Sequence, residues 1–102
     1  MNQPELFDLV ELLVNLPENE LKAGERGTIV ERYGNDAYEV EFSDSDGETL
    51  ALCTISPEQF IIVWQAETKS WLSLSEQITD VVKNLDVARQ KEVFKFARSL
   101  QS

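Results

Sequence analysis

The chain has 102 residues, with 19 Asp and Glu against 9 Lys and Arg and no His, for a net charge of −10. This length fits one domain, or one domain and a tail, and 42% hydrophobic residues suffice to bury a core. So acidic a surface repels phosphate backbones, anionic membranes and acidic substrates; it attracts cations and basic protein surfaces.

Other absences narrow the chemistry. Without His there is no imidazole base, no Ser–His or Cys–His nucleophile pair and no His-ligated metal. The single Cys53 can form neither an internal disulfide nor a zinc cluster. Set among Leu50, Ala51, Leu52 and Ile55, it reads as a small buried hydrophobe. No apolar run approaches the ~20 residues that span a bilayer. The opening MNQPELFDL lacks the pattern of a signal peptide, so a reducing cytoplasm is the expected location.

Residues 1–64 hold fourteen acids against Lys22, Arg26 and Arg32, a net of −11; residues 65–102 hold five acids against six bases, a net of +1. Every Gly and Pro lies at or before Pro57. Such punctuation accompanies short strands and turns, and its absence accompanies helix. Two segments follow: an acidic β domain over 1–64 and a helical segment over 65–102 packed on it.

Leu9 to Val14 reads as an opening strand, or as a turn of helix running into one. Pro17 to Glu20 starts a loop. Gly24 and Gly27 precede the β-branched run Thr28-Ile29-Val30, where glycine permits a tight bend between strands. Tyr33 to Asp36 is a turn. Tyr38-Glu39-Val40-Glu41-Phe42 alternates cleanly, with the apolar residues inward and two glutamates outward. Ser43 to Glu48 is a second turn with an Asp-Gly signal, Thr49 to Ile55 the next strand, and Phe60 to Trp64 the last. Five short strands joined by tight turns predict a small SH3-like β-barrel, and so an α+β fold once the helices are added. Leu74, Ile78, Val81, Val82 and Leu85 form an amphipathic stripe opened by a capping box at Ser73 and Glu76. Asp86 either ends that helix and caps a second one, with Val93, Phe96, Ala97 and Leu100 on its buried face, or lies within one long helix. Trp64 and Trp71, flanking the junction, are expected to dock the helices on the barrel.

Leu9-Val10, Leu16-Pro17-Glu18, Leu21-Lys22-Ala23-Gly24, Gly27-Thr28-Ile29-Val30, Ala37 to Phe42 and Asp46-Gly47-Glu48-Thr49 agree together in type and spacing. On these residues the segment 6–64 resembles a family of short bacterial proteins catalogued as domain of unknown function 4926. The resemblance implies an SH3-like fold and no particular activity. Residues 82–100, through Glu92, Val93 and Phe96, look like a helical motif of small bacterial antitoxin-type proteins. In composition and layout the chain is similar to the acidic calcium-binding proteins of cyanobacteria.

Calcium takes ~6–8 oxygen ligands in flexible geometry. Asp44, Asp46 and Glu48 fall at alternate positions around Gly47, like the start of an EF-hand loop but too short for a whole one. Glu39 and Glu41 share the exposed face of the neighbouring strand, Asp36 lies at the end of that hairpin, and Glu31 faces Glu39 if the turn is tight. Like charges across a ladder are destabilising, and a bound cation would relieve them. The plainer reading is an ordinary hairpin turn and a solvated face. An enzyme is not expected, because an exposed strand face offers carboxylates neither a pocket nor desolvation. The leading expectation is therefore a non-EF-hand calcium-binding protein that buffers or senses the ion through Asp36, Glu39, Glu41, Asp44, Asp46 and Glu48. The alternative is a regulatory interaction module that docks on a basic partner, or self-associates through its C-terminal helices, with no role in nucleic-acid or membrane binding.

Overall fold

Tyr38, Val40 and Phe42 are fully buried while Glu39 and Glu41 stay half-exposed, so the alternation of this run sets one face of its strand into the core. A computed structural model describes residues 3–101. Met1, Asn2 and Ser102, which close the two expected segments at their outer ends, lie outside the described residues.

The strands are β1 (Leu9–Leu12), β2 (Arg26–Tyr33), β3 (Ala37–Ser43), β4 (Thr49–Ile55), β5 (Phe60–Gln65) and β6 (Ser70–Trp71). They form one antiparallel sheet in the order β4-β3-β2-β1-β5-β6, followed by helices α1 (Leu74–Val82) and α2 (Val87–Ser99). The α+β class is as expected. The five-stranded barrel is corrected: there are six strands, and the ladder is open, with β4 and β6 as unjoined edges among the described residues. The opening strand is shorter than expected because its ladder partners run only from Leu9 to Leu12.

The core is formed by Val10, Leu12, Ile29, Tyr38, Val40, Phe42, Ile55, Phe60 and Ile62 with their neighbours. Tyr38 and Phe60 meet edge to face, with centroids 5.6 Å apart. Gly24 takes a left-handed φ of +97° in the turn before β2. Gly27 serves otherwise: a Cβ there would lie 2.7 Å from Val40 Cγ1 and 2.8 Å from the Glu41 carbonyl oxygen, so only glycine lets β2 approach β3.

The expectation for the tryptophans is corrected at Trp71. Trp64 and Trp71 are ladder partners in β5 and β6 and pack on each other edge to face, centroids 6.5 Å apart. Trp71 stays exposed and stacks under the Arg26 guanidinium, not under a helix.

The helical segment is two helices, not one long one. Ser73 and Glu76 form the expected capping box on α1, and the Asp86 carboxylate accepts from the Arg89 N–H to cap α2. α1 packs on β5. α2 is tied back through Gln90 Nε2, which donates to the Val82 carbonyl at 3.0 Å. The expected burial of its apolar face is not found: Val93 is half-buried, and Phe96 and Leu100 are 68% and 69% exposed. A stripe at helical spacing marks an apolar face, but its cover depends on a neighbour, and no strand packs substantially against α2 among the described residues.

Candidate functional site

Three of the six predicted carboxylates belong to the turn between β3 and β4. Asp44 Oδ1 accepts from the N–H groups of Asp46 (2.9 Å) and Glu48 (3.0 Å), and the Asp44 carbonyl oxygen accepts from the Gly47 N–H. Its side chain thus closes the turn from inside, as short Asp side chains do. Asp46 and Glu48 point into solvent. Asp36 sits exposed in the turn between β2 and β3.

Glu39 and Glu41 lie on the outer face of β3. The register puts Glu31 directly opposite Glu39, as the tight turn implied, beside an irregularity in β2. Glu41 faces Leu52 on β4 and Thr28 on β2, and its Oε2 accepts from Thr49 Oγ1 at 3.2 Å. None of Glu31, Glu39 and Glu41 pairs with Lys or Arg among the described residues. The six do not converge: among the described residues no three or more His, Cys, Asp or Glu side chains are grouped so as to hold a metal ion.

Two groups carry perturbed proton affinity. Tyr33, next to this face, has its phenol raised above the ordinary value by shielding from water first, then by the charges of Glu39 and Glu31. The Cys53 thiol is raised by burial, which keeps it protonated and a poor nucleophile.

Two further surfaces stand exposed, the first in line with the expected self-association through the C-terminal helices and the second not foreseen from the sequence. The first is apolar: Leu74 and Ile78 of α1 and Val87, Phe94, Phe96 and Leu100 of α2 are all more than half exposed. The second is the open edge at β4, where the solvent-facing positions hold Leu50 and Leu52, 57% and 53% exposed. Alternation there predicted a strand correctly and was silent on which side lacked a neighbour.

The family described as Domain of unknown function (DUF4926) matches residues 6–62. The chain belongs to this family. The match covers β1 through the first half of β5, so the DUF4926 region holds every candidate carboxylate and the β4 edge, while β6, α1 and α2 follow it. No curated protein matches the chain, and neither does any solved structure. No helix among the described residues is long and apolar enough to cross a membrane.

Proposed function

We propose that this DUF4926 protein is a non-catalytic interaction module that self-associates through its C-terminal helices and presents an acidic sheet to a basic partner. The observation that carries this reading is the uncovered apolar stripe of α2. Phe96 and Leu100, four positions apart and so on one face of the helix, are 68% and 69% exposed, and large apolar side chains left in water on one face are a typical mark of an interface. Charge selects the occupant. Residues 1–64 carry −11, so two sheets repel, whereas α2 carries Arg89, Lys91, Lys95 and Arg98 against Glu92. In a two-fold dimer, which sets like surfaces together, contact at α2 (four bases against one acid on each copy) repels less than contact between the two acidic sheets. The scaffold reads as an SH3-like sheet left open at β4, supported by the strand order from β4 to β5 and the 3-10 turn before β5.

Sedimentation equilibrium of the full chain tests the reading. A concentration-dependent dimer that becomes monomeric in Phe96→Ser and Leu100→Ser, at unchanged circular dichroism, is expected. A monomer at every attainable concentration overturns it.

The second reading is calcium binding, favoured by the apposition of Glu31 and Glu39, a repulsion that a cation would relieve. Calorimetry with calcium in physiological salt and magnesium decides it. Saturable heat lost in Glu39→Gln supports it; absence of heat ends it.

A further inference from the structure

The edge at β4 is unusual for a strand left without a partner. Exposed edges are ordinarily blunted by lysine, proline, a bulge or a cover, because a row of free N–H and C=O groups templates pairing with another chain. β4 reads Thr-Leu-Ala-Leu-Cys-Thr-Ile, with no charge, no Pro and no Gly over its seven residues; its one irregularity leaves Leu50 unpaired opposite Phe42 and Ser43, and Ala51 to Ile55 beyond it keep a regular register with β3. β3 is its sole ladder neighbour among the described residues, so in antiparallel geometry alternate β4 residues direct both backbone groups at open water. Its outward positions, where a half-solvated sheet places polar residues, hold Leu50 and Leu52.

Behind this apolar rim stands unneutralised charge. Moving inward from the edge, Leu52 is followed by Glu41 on β3, and Thr54 by Glu39 and then by Glu31 on β2. From Tyr33 to Thr68 the chain has eight carboxylates and no Lys or Arg. A strand added to β4 would lie ~4.8 Å beyond it and ~10 Å from β3. Lys and Arg stems span that gap over an apolar surface and carry their charge to the far side.

We infer that β4 binds an extended segment of a partner protein in which basic residues alternate with apolar ones. The added strand completes the β4 backbone hydrogen bonds. Its basic side chains run over Leu52 and Thr54 to Glu41 and Glu39, and its apolar residues face the side of Cys53 and Ile55. A second copy's β4 does not meet this chemistry: it brings no cation and sets two sheets of −11 side by side. The inference rests on the reading of the chain as an interaction module and names the partner of its sheet.

A synthetic peptide that alternates lysine and valine over the length of β4 tests it on the full chain, with the same peptide carrying glutamate for lysine as control. Expected are saturable binding in nuclear magnetic resonance titrations, amide shifts and slowed hydrogen exchange centred on β4, and no binding of the glutamate peptide. Affinity falls about two- to fivefold in Glu39→Gln and in Glu41→Gln, and falls with added salt. Leu52→Lys, an outward position at which the fold is kept, abolishes binding by placing a cation beside Glu41. Absence of binding, equal affinity for both peptides, indifference to Glu39→Gln and Glu41→Gln, or shifts confined to α1 and α2 each overturn the inference. Because the dimer is read separately by sedimentation, a chain that dimerises but binds no strand loses this inference alone.

Discussion

The Asp8 carboxylate holds Ala66 across fifty-eight residues of chain. Asp8 Oδ1 accepts from the Ala66 N–H at 2.8 Å, and Oδ2 accepts from the Glu5 N–H at 3.0 Å. At 2% exposure it is the one buried charged or polar residue among those described, and both oxygens are engaged. It joins the segment leading into β1 to the turn between β5 and β6. Asp8→Ala removes the acceptor of both the Glu5 and the Ala66 N–H, which are only partly screened from water, so a loss of about 1–2 kcal/mol in urea denaturation is expected. Asp8→Asn keeps one acceptor and turns an amide towards the other donor, and its loss falls between wild type and alanine.

Gly27 separates two causes by which glycine is required. Its φ is ordinary, so Gly27→Ala meets steric cost alone, against Val40 Cγ1, Phe42 Cδ1 and the unyielding Glu41 carbonyl. Overpacking of this kind costs about 1–3 kcal/mol. Gly24→Ala meets no atom within 4 Å but must hold a φ of +97°, which costs about 1–2 kcal/mol. Thermal unfolding should therefore show both variants destabilised. Only at Gly27 should amide shifts spread into β3.

How much was legible follows from the range of each interaction. Tyr38-Glu39-Val40-Glu41-Phe42 and the caps at Ser73 and Asp86 are set by residues a few positions apart, and those elements stand where the pattern put them. The Glu31–Glu39 apposition was readable because the turn between β2 and β3 is tight. Closure of the sheet is a matter of long-range pairing between edges, and alternation is silent on it. β6 has two residues, too few for any period. Asp8 sits in an irregular segment whose partner is fifty-eight positions away, so nothing local marked it. The Asp44 to Glu48 motif carried both a turn and an ion-binding reading; the hydrogen bonds to Asp44 Oδ1 show the turn.

Cys53 tests whether the β4 edge opens. The thiol is buried and its proton affinity is raised by that burial, so the thiolate is scarce at neutral pH. Alkylation of the native chain at pH 7 should be slow and should speed up sharply in denaturant. A native rate equal to the unfolded one would show that β4 separates from β3 far more readily than its ladder implies.

The outer face of β2 and β3 makes a linked prediction for charge and pH. Glu31 and Glu39 repel across the ladder, so Glu31→Gln should stabilise the chain by about 0.2–1 kcal/mol, less at high salt. Tyr33 reports the same field. Its phenol holds its proton above the ordinary value of 10.0, through shielding from water and then the charges of Glu39 and Glu31. The folded state therefore binds this proton more tightly than the unfolded state does. Stability is unaffected well below pH 10 and falls as pH rises through 10.0 towards the raised value. In a Tyr38→Phe background, ultraviolet titration of tyrosinate should show the Tyr33 midpoint moving down in Glu39→Gln and, by less, in Glu31→Gln. Neither variant should reach the ordinary value, because shielding from water is the larger cause and survives both. A midpoint indifferent to both substitutions would place the phenol away from this face.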